Sequence, residues 1–348
     1  MHKTFGPIAL LGSGETSLAG GRIFESLAQK LPHPLQIAIL ETPAGFELNS
    51  SQVAGRVGDF LKVRLQNYNP RVEVVPARKR GTPFSPDDPE ILKPLLTADM
   101  IFMGPGSPTY AVRQLTGSLA WDLVRARHRL GAALVFASAA TIAVGAHVLP
   151  VYEIFKVGEE VTAPVGLDLF ADFGLALSCI PHWNNSDGGA DVDTSRCFIG
   201  MERFSQWCAM LPPGHTTLGL DEHTGIIIDF AAGTCSVSGI STVNLVRECE
   251  PEIFPAGKTF AVAELGTVHC PQEPGAGLSA AVMDMVNAAG RDPQSEAVPE
   301  EVLRLAEERQ KAREGKNWPE SDRLRDLIAS LGWQVQDTPD GQKVVRQS

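Results

Sequence analysis

Over the first 145 residues, short unbroken apolar runs alternate with stretches of helical period. Pro7–Leu11, Leu35–Leu40, Val72–Pro76, Met100–Met103 and Ala132–Phe136 read as strands. Between them lie helical stretches at 20–31, 50–65, 87–96, 110–115 and 121–130. The second carries Val53, Val57, Phe60, Leu61 and Leu65 on one face. Strands alternating with helices predict an α/β domain with a doubly wound, mostly parallel sheet. Such sheets take ligands beyond the carboxyl ends of their strands. The loops at Gly12, Thr42, Gly104 and Ser138 then share one edge.

After Pro150 the rhythm changes. Residues 153–160 look strand-like and charged. Leu175–Ile180 is an apolar strand running into Pro181-His182-Trp183-Asn184-Asn185. A helix is predicted over 194–211, then short strands at 217–220, 225–229, 235–237 and 243–246, an antiparallel finish. The compact domain is expected to span 1–270, followed by a Pro/Gly-rich linker over 271–295 with a helix at 278–289. The remaining stretch, 296–348, forms a separate small module. It holds a charged helix at 300–315, a second helix at 319–330 opened by Pro319 and stopped by Gly332, and a hairpin turning at Asp337–Gly341.

Composition narrows the function. The 348 residues carry 41 acidic and 30 basic side chains, a net charge of −11, which disfavours a bulk electrostatic partner such as nucleic acid for the main domain. The six cysteines are dispersed without a Cys-x-x-Cys pair, so they signal neither a zinc site nor a redox couple and read as reduced thiols of a cytoplasmic protein. No leader-like or membrane-spanning run is visible. No metal and no cofactor is expected. The expected partner is a small molecule or peptide; a homodimer is left open.

The candidate chemistry centres on Leu134–Gly145. A buried strand breaks at Ser138 and continues as a small-residue helix, the pattern of a nucleophile elbow; the plainer reading is a serine N-cap. His182, at a strand end, is the leading base, with a surface-loop histidine as the alternative and His223 as runner-up. Glu153 is the leading acid, between the two in sequence; Glu159, Asp168 and Glu222 are alternatives. Oxyanion donors are expected from the N–H groups of Ala139 and Gly106. Gly104, Ser107, Thr109, Glu15 and Asn184 occupy strand-end loops where substrate would bind.

Gly104-Pro-Gly-Ser-Pro-Thr-Tyr110, the Ser138 elbow and Pro181-His182, at these separations, resemble the peptidase E and cyanophycinase family. Leu218-Gly-Leu-Asp-Glu-His-Thr-Gly225 is similar to that family's Gly-x-Asp-Glu-x-Thr strand. The resemblance covers about residues 5–250. It implies a flavodoxin-like, class I glutamine amidotransferase-like fold, Ser138 as nucleophile, His182 as base and an acid matched to Glu153. It also implies hydrolysis of small acidic or isopeptide substrates, with Arg196 on a substrate carboxylate or, alternatively, on an ordinary helix face. A glutaminase role is disfavoured because that chemistry uses an elbow cysteine. The family elbow is Gly-x-Ser-Ala-Gly; here Phe136 and Ala140 replace the glycines. The competing expectation is therefore an inactive ligand-binding protein of the same fold.

The tail has its own resemblance. Arg313-Glu-Gly-Lys-Asn-Trp-Pro-Glu-Ser-Asp-Arg-Leu-Arg-Asp326, then Gly332 and Asp337-Thr-Pro-Asp-Gly341, is similar to the end of cysteinyl-tRNA synthetases. The signature stretches of a synthetase active site, His-Ile-Gly-His and Lys-Met-Ser-Lys-Ser, are absent, so the chain is not expected to be a synthetase. Arg309, Lys311, Arg313, Lys316, Arg323 and Arg325 are candidate contacts to tRNA phosphates or a protein. Interleaved Glu307, Glu308, Glu314, Glu320, Asp322 and Asp326 offer a salt-bridged helical surface instead.

Overall fold

The computed structural model describes residues 5–248, 250–290, 300–315, 317–338 and 341–346. It divides into two compact units, Met1–Val286 and Asn287–Ser348.

The first unit is built on strands β1 (Ile8–Leu11), β2 (Gln36–Leu40), β3 (Arg71–Val75), β4 (Met100–Met103), β5 (Ala133–Ala137), β6 (Leu177–Ile180), β7 (Thr216–Leu220), β8 (Thr224–Asp229), β9 (Thr234–Gly239), β10 (Thr242–Arg247), β11 (Glu250–Pro255) and β12 (Thr259–Ala261). Eight of them form one sheet in the order β12-β9-β8-β1-β5-β4-β2-β3. The stretch from β1 to β3 is parallel, and the β8, β9 and β12 edge is antiparallel. β1, β4 and β5 are buried throughout, which explains their continuous apolar sequences. Alternate side chains serve opposite faces. Leu11, Ile39, Phe102 and Val135 pack under helices Leu18–Ala28 and Ser50–Arg64, in one core with Phe24 and Leu61. Leu10, Leu40, Met103 and Phe136 face helices Pro108–Leu115 and Leu119–Arg129, in another core with Leu115 and Leu123.

A second sheet runs β11-β10-β7-β6. The antiparallel finish is thus split: β7 and β10 join this sheet, while β8 and β9 extend the first. Asp221 pins the crossing point. Its carboxylate accepts from Ser241 Oγ, Thr242 N and Thr242 Oγ1.

Three segments differ from the periodicity. Residues 153–157 form a helical turn rather than a strand; Ile154 N donates to Pro150 O, and Gly158 ends the turn at φ 82°. The helix expected at 87–96 shrinks to Lys93–Thr97, because Pro89 and local turn bonds occupy the preceding stretch. The helix expected from 194 starts at Gly200, after a run of left-handed residues. Past the expected domain end at 270, Val282 and Val286 of helix Ala280–Gly290 still pack into the first unit's core.

In the second unit, helices Glu300–Glu314 and Trp318–Ser330 and the hairpin β13 (Trp333–Thr338)–β14 (Gly341–Arg346) enclose Val302, Leu305, Leu324, Ile328 and Trp333. Asn317 Oδ1 caps the second helix by accepting Glu320 N, with Pro319 in its first turn. The hairpin tip at 339–340 and linker residues 291–299 lie outside the described residues. Among the described residues no helix is long and apolar enough to cross a membrane.

Candidate active site

β5 ends at Ala137, and the chain reverses at once into helix Ala139–Ala143. Ser138 takes φ 52°, ψ −117°, a conformation that costs a non-glycine residue about 1–3 kcal/mol. The surroundings hold it there. Thr141 Oγ1 donates to both Leu11 O and Phe136 O, tying the helix to the ends of β1 and β5. Phe136 and Ala140, on either side of the turn, are both fully buried in the core beneath it.

His182 stands just beyond β6, also left-handed at φ 49°. Its N–H donates to Gly12 O, and its carbonyl accepts from Asn185 N and Cys197 N. This backbone setting brings Nε2 to 3.0 Å from Ser138 Oγ. On the other side, Nδ1 lies 2.9 Å from Glu222 Oε1. Glu222 follows β7 and is itself fastened: its N–H donates to Asn184 Oδ1, and its Oε1 accepts from Asn185 Nδ2. Burial works against charging this carboxyl, but the hydrogen bonds from His182 and Asn185 and the nearby His182 and His223 rings outweigh it, holding the group below the usual carboxylate range.

The acid beside His182 is therefore Glu222, and Glu153 is displaced from that place. Glu153 lies on the helical turn after Pro150, where its Oε1 accepts from Thr109 Oγ1. Sequence order puts Glu153 between serine and histidine, but a turn of helix holds it against Thr109 of the Gly104–Tyr110 loop. Glu222 belongs to the Asp221-Glu222 pair of the Gly-x-Asp-Glu-x-Thr stretch, and that stretch is the sequence signal that points to it. Glu159 and Asp168 stand elsewhere. Glu159 lines a separate polar cavity with Glu160, Asp193 and Glu202, and Asp168 sits near His147. His223, the runner-up base, donates its backbone N–H to Ser13 Oγ and packs its ring against Gly14.

The Gly104–Tyr110 loop lies tightly against the elbow. Gly106 has φ 142°, and a Cβ there would strike the Pro43 carbonyl, so only glycine fits. Ser107 N donates to Pro43 O at 2.9 Å, and Gly104 O accepts from Ala140 N at 3.3 Å, joining loop to elbow. Ala139, first residue of its helix, has an N–H without an intrahelical acceptor. Ser107 Oγ caps helix Pro108–Leu115 and meets Thr109 Oγ1 at 3.0 Å. Asn184, expected at substrate, instead positions Glu222. Glu15 lies half-buried on the Gly12–Thr16 loop with no hydrogen bond to the serine–histidine–glutamate relay.

Arg196 is not on a helix. It opens a left-handed run, Arg196, Cys197 and Phe198, at φ 60°, 61° and 72°. Its guanidinium stacks 4.0 Å from the Trp183 ring and donates from Nη1 to Trp183 O. The Phe198 ring lies 5.4 Å from that of His182. The strained run thus forms the wall behind the imidazole.

In the tail, Arg309 is only 3% exposed and belongs to the module's interior, which corrects its reading as a phosphate contact. Arg323 and Arg325 pair with Glu320 and Asp322 one turn away. Lys316 lies outside the described residues.

Comparison with known proteins divides at the same place. Residues 295–344 match the family model of the cysteinyl-tRNA ligase anticodon binding domain. The cysteine–tRNA ligase of Caldicellulosiruptor saccharolyticus is 55% identical over 51 residues, 15% of this chain and 11% of that protein. That of Methanosarcina mazei is 55% identical over 49 residues, 14% and 10% of the two chains. The chain spans about a tenth of the length of these relatives. The main unit has the fold of a solved peptidase. The crystal structure of a peptidase from an acI-B1 Actinobacterium superposes with a TM-score of 0.58, covering 75% of this chain and 98% of that one at 20% identity.

Proposed function

We propose that the main unit is a serine hydrolase that cleaves a small peptide, isopeptide or amide. The observation that carries this reading is the relay from a left-handed Ser138 through His182 to an ionised Glu222, at 3.0 and 2.9 Å. His182 Nε2 takes the serine proton as Oγ attacks the carbonyl carbon, and later delivers it to the leaving amine. Glu222 holds Nδ1–H, fixing the tautomer and favouring the imidazolium that forms. The N–H groups of Ala139 and Gly106 receive the developing oxyanion. Water then attacks the acyl-serine, with His182 again as base, and releases the acid. Arg196, on the wall behind His182, is the candidate for an acidic group on the substrate.

Fluorophosphonate labelling tests the reading. The wild-type protein should be labelled and Ser138→Ala should not. Equal labelling of both proteins, or none of either together with no turnover of any dipeptide, would replace it with the inactive ligand-binding protein.

For the tail we propose contact with tRNA, supported by the anticodon-domain match at 295–344. Exposed Arg304 and Lys311 are the candidate phosphate contacts. Filter binding of total tRNA to the full chain should weaken with Arg304→Glu/Lys311→Glu. Unchanged retention would sink the RNA contact.

A further inference from the structure

Beside the Gly104–Tyr110 loop lies a cavity of about 590 Å³. Its walls are aromatic: Phe46, Tyr110 and Tyr152, the first two rings 5.1 Å apart. Its rim carries Lys79 and Arg113, both exposed. Glu153, with one oxygen accepting from Thr109, lies deeper. Ser107 and Thr109 also line it, so the cavity begins one residue past Gly106, the proposed oxyanion donor.

Arg64, Arg78, Arg80 and Arg125 of the same unit each hold a carboxylate and other cations do not; what marks Lys79 and Arg113 is that they share one cavity mouth. Among the described residues Lys79 and Arg113 hold none; Arg113 lies over the Tyr110 ring, 5.2 Å from its centroid. In a chain of net charge −11, two cations without carboxylates at one cavity mouth mark a place for an anion. Glu153 repels an anion from the interior, so a carboxylate must stay at the rim. The aromatic walls then call for an apolar body attached to it. A short acidic side chain offers no such body; a bulky residue with its own α-carboxylate does.

We propose that this cavity is the subsite for the carboxy-terminal residue of a short peptide, with the free α-carboxylate on Lys79 and Arg113 and a bulky apolar side chain against Phe46, Tyr110 and Tyr152. The proposal rests on the hydrolase reading for its place in catalysis, but the binding itself does not. It would restrict cleavage to bonds next to a free carboxy terminus.

The test separates the two. Full-length Ser138→Ala is titrated with N-acetyl-L-leucine, with its amide, and with N-acetyl-L-aspartic acid α-amide, whose only carboxylate is on the side chain. The first should bind about tenfold tighter than the other two. Arg113→Gln and Lys79→Gln should each bring it down toward the amide, and Arg113→Lys should retain part of the preference. Equal affinity for all three compounds, or loss on Arg196→Gln with no loss on Arg113→Gln or Lys79→Gln, overturns the subsite. In parallel, wild-type protein is given Asp-Leu and Asp-Leu amide, which supply the acidic group proposed for Arg196. Discriminating binding with neither peptide cleaved leaves the subsite standing and removes the hydrolase. Both peptides cleaved equally, without discriminating binding, does the reverse.

Discussion

The main unit contains two serine–histidine contacts of nearly the same length. Ser138 Oγ lies 3.0 Å from His182 Nε2, and Ser178 Oγ lies 2.9 Å from His215 Nε2. The distance alone cannot tell them apart, but their surroundings do. Ser178 is a regular residue of β6, fully buried, and its Oγ also accepts the His147 N–H. Burial first, and the neighbouring His147 second, push the His215 ring down to about 4, so it is a neutral internal group. No carboxylate holds its other nitrogen among the described residues. Ser138 is half-buried, held in a left-handed turn at a strand end, and its histidine leans on an ionised Glu222. What separates the proposed catalytic pair from the packed one is strain, access and a third partner.

The sharpest way to break this comparison is to remove each hydroxyl. Ser138→Ala should lower kcat/KM on a cleavable peptide by about 10⁴-fold or more, and Ser178→Ala should leave it unchanged. A reversed outcome would exchange the roles of the two pairs. The acids come next. Glu222→Gln should cost about 10²- to 10⁴-fold in kcat, because the imidazole loses its anchor and the charge that favours its protonated form. Glu153→Gln should stay within about tenfold, since Glu153 touches Thr109 and not His182.

Acid titration sharpens the contrast in stability. His215 and the fully buried His128 are both pushed down to about 4 by burial. Their folded values lie below the unfolded ones, so the unfolded chain binds more protons between the two. Stability is therefore whole above the unfolded value of 6.5 and is lost as pH falls from there toward about 4. His128 alone accounts for about 3 kcal/mol of that loss by linkage. Urea midpoints measured from pH 7.5 to 4.5 should fall, and His215→Gln should flatten the slope. The smallest effect is Ser178→Ala, about 1–3 kcal/mol of unfolding free energy from the stranded His147 N–H and His215 ring.

The two units differ in what their sequences disclose. In the tail, an identity of 55% over 51 residues makes the relationship plain, while the surface pairs its charges locally, as in Arg323–Glu320. In the main unit, the likeness to a solved peptidase is one of fold, at 20% identity. Its parallel strands are legible because a strand buried on both faces is written as an unbroken apolar run. The loops that would hold substrate are legible for the same reason, since they follow those strands. Residues 194–198 read wrongly as helix because their polar composition tolerates a helix, and nothing local reports that Arg196, Cys197 and Phe198 turn left-handed under contact with His182 and Trp183. Residues 153–157 read wrongly as strand because Ile154, Phe155 and Val157 are residue types that favour strands.

Local periodicity thus determined the order of the strands along the chain, the edge where their loops gather, and the turn that carries Ser138, because these depend on neighbours a few residues apart. The assignment of an acid to His182 was decided only in three dimensions. Glu153 is 29 residues from the histidine and Glu222 is 40, and both separations are compatible with contact. The choice fell to the sheet pairing that sets β7 beside β6 and delivers residue 222 to the end of the strand next to His182. The same packing placed two serine–histidine pairs in one unit and exposed only one of them. A sequence records which groups can bond; burial and backbone strain decide which of those bonds face a substrate.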